Sequence, residues 1–176
     1  MTATINASTT AGVVITPDNS GNIQLQWNGV AAPAFRAYVT GSSNTGFSNS
    51  TWTKVTLNGE TFDTANCFDS TTNYRFTPTV AGYYQINATV STNWNGSQYN
   101  RFEVQIYKNG SGVSASEFNT STSIANYPSI SVIDIISMNG STDYLELYVN
   151  ASGGTSPTYN QGTTRTYMSG CLLRSA

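Results

Sequence analysis

Residues 101–110 read RFEVQIYKNG, and their alternation decides the fold class. Phe102, Val104 and Ile106 fall on one side of an extended chain while Arg101, Glu103, Gln105 and Tyr107 fall on the other, the two-residue period of a half-buried strand. Asn109-Gly110 follows, a dipeptide that tolerates positive φ at both centres of a two-residue type I′ turn, so a hairpin is expected to close there. The same pattern recurs outward in both directions. GYYQINATVST at 82–92 puts Tyr84, Ile86, Ala88 and Val90 on one face. In SISVIDIIS at 129–137, Ile130, Val132 and Asp134 alternate with Ile133 and Ile135, and in TDYLELYVN at 142–150, Tyr144, Glu146 and Tyr148 alternate with Leu145, Leu147 and Val149. Asn139-Gly140 separates these two runs, and shorter ones lie at 32–40, 51–59, 73–78 and 164–174. Helical periodicity is almost absent. Eight or more strands fit into residues 34–174, enough for an all-β fold of two packed antiparallel sheets.

Composition narrows function by exclusion. The 176 residues carry seven Lys plus Arg against nine Asp plus Glu, a net charge of −2, while 26 Thr, 22 Ser and 19 Asn make the polar surface neutral. Such a chain has no basic stripe for nucleic acid or anionic lipid, so neither is an expected partner. With no histidine, the commonest general base and nitrogen metal ligand are missing, and Ser-His-Asp or Cys-His arrangements are ruled out. Carboxylates are also too few for paired acid and base roles. The expectation is a non-enzyme with no catalytic residue, no metal and no cofactor. No apolar run approaches the roughly 20 residues of a membrane helix, and MTATINAST lacks the basic and apolar regions of a secretory signal, so a soluble protein is expected. Cys67 and Cys171 fit no zinc spacing; they either pair or serve as small apolar residues.

Residues 1–33 read differently from the rest. They hold one apolar run, Val13 to Ile15, a turn through Pro17, Asp18, Asn19, Ser20 and Gly21, and a second alternating run with Ile23, Leu25 and Trp27. That is a β-hairpin-like segment too small for its own core. It must lean on the main domain, on other copies, or on a larger particle. Ala31-Ala32-Pro33 is the expected joint, giving an attachment segment at 1–33 and a head at 34–176.

The head resembles the C1q/TNF-like jelly-roll family. Ala34-Phe35-Arg36-Ala37 is similar to its opening strand, and FDSTTNYRFTPTVAGYY at 68–84 to its most diagnostic stretch, through Phe68, Asp69, Phe76, Pro78, Gly82, Tyr83 and Tyr84. SMNGSTDYLELYV resembles the strand that carries an apolar-Gly-Asp turn, and Ser169, Gly170, Leu172 and Leu173 resemble the terminal strand. Two departures are Gly140-Ser141-Thr142-Asp143 in place of the Gly-Asp turn, and Cys171 in place of an aromatic. SGNIQLQWNG at 20–29 resembles segments that lead into the shafts of bacteriophage tail fibres and related virion proteins. The resemblance implies a homotrimer of jelly rolls about a threefold axis. Eleven tyrosines suit such an interface, with Tyr83, Tyr144 and Tyr148 as the axis-facing candidates.

Several residues stand out individually. Asp63, Asp69 and Asp143 lie in expected loops, where capping a turn competes with Ca²⁺ ligation. Asp134 interrupts an apolar run, and if inward-facing it needs a partner such as Arg36 or Arg101. Three polar loops carry aromatics expected to be exposed: Phe47 and Trp52, Trp94 and Tyr99, and Tyr159. Trp94 with Asn93, Asn95, Gln98 and Asn100 offers the ring and amides that a glycan uses. The expected function is therefore a trimeric phage structural protein, a tail fibre or spike head that contacts host-surface glycan through its loops. The competing expectation is a capsid-decorating cement protein that grips capsomers and other virion proteins through residues 1–33. Either one is made in the bacterial host cytoplasm and resides on the virion.

Overall fold

The alternating runs become strands in the computed structural model, which describes residues 32–41, 45–93, 99–124, 129–153 and 157–176. Among these residues the strands are β1 (Ala34–Tyr38), β2 (Thr45–Gly46), β3 (Thr53–Lys54), β4 (Gly59–Asp63), β5 (Phe68–Asp69), β6 (Arg75–Phe76), β7 (Gly82–Asn93), β8 (Tyr99–Lys108), β9 (Ser111–Ile124), β10 (Ser129–Met138), β11 (Leu145–Ser152), β12 (Thr158–Tyr159) and β13 (Tyr167–Ser175). They pair antiparallel into two sheets of a jelly-roll sandwich. One sheet runs β2-β12-β7-β13-β1-β4 with β10 also on β7, and the other runs β5-β6-β11-β8-β9 with β3 on β11. The sandwich lies within one compact unit, Ala32–Ala176. The attachment segment expected at 1–33 lies, up to residue 31, outside the described residues.

The hairpin expected at Asn109-Gly110 is present. Lys108 faces Ser111 across it, and the two turn residues have φ of 53° and 81°. The Asn109 side chain also accepts the Tyr144 N–H at 2.9 Å and donates to Asp143 Oδ1 at 2.7 Å, which ties the hairpin tip to a second turn. That second turn, Asn139-Gly140, is not a hairpin: β10 belongs to one sheet and β11 to the other, so the chain crosses the sandwich here. Asn139 Oδ1 accepts the N–H groups of Ser141, Thr142 and Asp143 at 3.0 Å each. Gly140 has φ of 72°, and a Cβ there would stand 2.2 Å from the Ala81 nitrogen, so only glycine fits.

The core explains why residues 68–84 carry the family resemblance. Phe35 stacks on Phe76 at 4.2 Å and on Phe68 at 5.2 Å, and Tyr84 meets Phe76 edge-on at 5.5 Å. The Tyr84 hydroxyl donates to the Val80 carbonyl at 2.7 Å, and burial holds the phenol well above its ordinary pKa. Gly170 on β13 leaves the space, since a Cβ there would stand 2.9 Å from the Phe35 ring. Burying each such ring contributes about 1.5–3 kcal/mol.

Two expectations are corrected and one left open is resolved. Asp134 does alternate with the buried side of β10, yet it pairs with neither arginine: its carboxylate accepts the Ile135 N–H at 2.7 Å. Arg36 is engaged with the Thr163 carbonyl and the Tyr167 ring, and Arg101 with Glu103 and Glu117. Tyr159 is not an exposed loop aromatic, because β12 turns its ring into the core at 1% exposure and Phe47 packs against it at 6.0 Å. The cysteines are both free, Cys67 buried and Cys171 exposed, and burial pushes the Cys67 thiol up.

Candidate functional site

The outward face of the six-stranded sheet carries a row of rings. Strand alternation puts Tyr107 of β8 and Tyr148 of β11 on this side, where they stack at 4.0 Å, and Trp52, just ahead of β3, lies tilted at 6.0 Å from Tyr107. Beneath them Glu146 is buried, and its Oε1 accepts Lys54 Nζ at 2.7 Å. Its Oε2 lies 3.5 Å from the Tyr148 hydroxyl. Burial first, then the carboxylates of Glu146 and Glu103 respectively, hold the Tyr148 and Tyr107 phenols above their ordinary values, so both remain O–H donors. Asn150 alternates onto the same face and is also buried, and among the described residues its amide has no hydrogen-bond partner. A buried amide is costly to leave without a partner.

Lys54 leads from this row to a cavity. Its ammonium also donates to the Asn73 carbonyl at 3.3 Å, and Asn73 lines a cavity of about 490 Å³ with Glu60, Asn66, Asp69, Ser70 and Arg75 among its walls. Asp69 caps the turn as its position in the sequence predicts. Oδ1 accepts the Thr71 and Thr72 N–H groups and the Thr71 hydroxyl, and Oδ2 accepts the Asn73 N–H and side-chain amide. These donors hold the carboxyl far below the usual carboxylate range. Arg75 faces Asp69 across the β5–β6 ladder, but its guanidinium lies over the Tyr144 ring at 4.3 Å instead. The bend into β6 is made at Tyr74, whose φ of 51° is rare for a bulky side chain.

The outward face of the seven-stranded sheet has a different chemistry. Across β10, β7, β13 and β1 the rungs read Ile133, Asn87, Ser169 and Arg36, then Ile135, Gln85, Cys171 and Ala34. Ile133 is 66% exposed and Ile135 58%, on a strand that pairs only with β7 among the described residues. Arg36 is the one charge on these two rungs, and it is spent on Thr163 and Tyr167.

The expected site residues are dispersed. Trp94, Asn95 and Gln98 lie outside the described residues; Asn93 ends β7 and Tyr99 begins β8. Phe47 is packed against the core, and among the expected glycan aromatics whose side chains are described Trp52 joins the ring row. Of the three expected axis tyrosines, Tyr83 is exposed on β7, whereas Tyr148 stands on β11 of the opposite sheet and Tyr144 just ahead of that strand. Asp143 bonds Lys108 at 2.8 Å and Asp63 accepts the Phe68 N–H, and no group of three or more potential metal-ligating side chains occurs among the described residues. Tyr107 and Arg75 were missed. The alternation of residues 101–107 put Tyr107 on the polar side, but nothing in the sequence pairs it with Tyr148.

Neither a protein-family model nor a curated protein sequence matches this chain. Solved structures do. The chain is similar to murine APRIL at 9% identity and a TM-score of 0.59, over 81% of this chain and 99% of that one. Against an Eiger TNF from S. frugiperda the figures are 8%, 0.61, 82% and 94%. The globular domain of a zebrafish complement 1qA protein gives 16%, 0.56, 82% and 99%. At these identities the likeness is one of fold, and the fold is a C1q/TNF-like jelly roll.

Proposed function

We propose that this jelly roll is a non-enzymatic homotrimeric structural protein of a bacteriophage virion, a fibre or spike head that assembles through its seven-stranded sheet and contacts host-surface glycan. The observation that carries the assembly is the exposed pair Ile133 and Ile135 on two rungs whose one charge, Arg36, is engaged with Thr163 and Tyr167. An apolar, unpaired edge strand is an aggregation hazard unless a specific partner covers it, and copies of the same chain are always present. The fold resemblance favours three copies. The ring row supports the glycan part, because aromatic faces stack on sugar C–H surfaces while amides and carboxylates take the hydroxyls. The virion part rests on the resemblance of residues 20–29 to shaft-leading segments.

Sedimentation equilibrium tests the assembly. A mass of three 18.8 kDa chains is expected, falling to one in Ile135→Asp. A monomeric parent protein would overturn it. Cryo-electron microscopy of the particle tests the location: density at the tail supports the fibre or spike head, and density on the capsid would replace it with the decoration protein.

A further inference from the structure

We infer that the cavity beside Arg75 takes a saccharide bearing a carboxylate, an acidic sugar residue within a glycan whose neighbouring rings lie along Tyr148, Tyr107 and Trp52. The inference rests on the glycan-contacting reading above and specifies the ligand.

The argument starts from a pair that does not form. Asp69 is the cross-strand neighbour of Arg75, the natural partner for its charge, yet both Asp69 oxygens are taken by donors of residues 71–73. Among the described residues the Arg75 guanidinium has no hydrogen-bond or ion-pair partner, only the Tyr144 ring beneath its plane. Stacking uses the face of the guanidinium and leaves its in-plane N–H fork for a planar, two-oxygen acceptor. A carboxylate has that shape. The contact with the Tyr144 ring also restrains the side chain in advance, so less conformational entropy is lost when a ligand arrives.

The rest of the lining says what the carboxylate is attached to. Asn66, Ser70 and Asn73 supply neutral amides and a hydroxyl, and Glu60 is exposed with no hydrogen-bond partner among the described residues. A carboxylate acceptor wants hydroxyl donors, which a sugar ring carries in excess. With Glu60 and Asp69 against Arg75 the lining as a whole repels anions, a phosphate dianion more than a single charge, so it is the Arg75 fork itself that must hold the carboxylate. A volume of about 490 Å³ lies within the range of small-molecule sites. The Lys54 bridge from Asn73 to Glu146 then connects the cavity to the ring row, so one oligosaccharide spans both.

Titration of the full chain with glucuronic acid, glucose and glucose 6-phosphate, followed by ligand-observed NMR, tests the inference. Glucuronic acid is expected to bind at least tenfold more tightly than glucose. Arg75→Met should abolish that preference and Arg75→Lys should restore part of it, because the charge returns without the fork. Equal binding of glucuronic acid and glucose by the unaltered protein would overturn the inference without any variant having to fold. So would a tighter glucose 6-phosphate, or an unchanged preference in Arg75→Met. A neutral oligosaccharide that binds and is lost in Tyr107→Ala, with no preference for the acid, leaves the parent reading standing and removes only this one. No binding of any saccharide removes both.

Discussion

Asp69 shows how far a single residue was legible. Its place ahead of Thr71, Thr72 and Asn73 marks a side chain that accepts the backbone N–H groups of its own turn, and it does so. That this frees Arg75 to stack on Tyr144 was not legible, because the contact joins residues far apart in sequence. The turn has a pH signature. A carboxyl held low in the folded state contributes stability that is complete above its unfolded pKa of about 4 and is lost as pH falls toward the folded value. Asp143, lowered by Lys108 and Asn109, acts in the same direction. Thermal melts from pH 7 down to pH 2.5 should show a falling Tm below about pH 4. Asp69→Asn should melt lower at pH 7 and converge with the parent protein in acid. In the core, Phe76→Ala removes the ring that Phe35 and Tyr84 both pack on, and urea unfolding should show a loss of about 3–5 kcal/mol.

At the scale of elements, period-two alternation located the long strands, and Asn109-Gly110 located a hairpin, because both are local signals. Of the two-residue strands, β3 and β6 fall inside the short runs read at 51–59 and 73–78, whereas β2, β5 and β12 were beyond reach: each exists as a strand through the neighbour it pairs with, not through its own pattern. Sheet membership was also hidden. Asn139-Gly140 looks as much like a hairpin turn as Asn109-Gly110 does, yet the first passes between sheets and the second within one. The two turns are nonetheless stitched together through Asn109, Tyr144 and Asp143, so their substitutions should couple. Gly140→Ala, forced to a positive φ against Ala81, should cost about 1–3 kcal/mol in urea unfolding, and Asn109→Ala about 1 kcal/mol. A double variant whose loss equals the sum would show that the stitch carries no energy.

For the whole molecule, the proposed assembly face and the ring row lie on different sheets, so a trimer closed through the first leaves three copies of the second available at once. Linked sites raise avidity by about 10²–10⁴ where geometry permits. Ile135→Asp should therefore lose about 100-fold or more on a glycan-coated surface while keeping its affinity for a single free sugar, as surface plasmon resonance and NMR would show. An equal loss in both assays would mean that the substitution had damaged the sugar site. The proposed trimer rests on the family resemblance, since tyrosine content did not say which tyrosines face out, and Tyr148 stands on the other sheet from Ile135, with Tyr144 just ahead of its strand. Cys171 lies on the same rung as Ile135, two strands across, and the other thiol, Cys67, is buried. In the proposed assembly Cys171 becomes a chemical clock: a maleimide dye should label it at the rate at which subunits part, slowing as protein concentration rises and running free in Ile135→Asp.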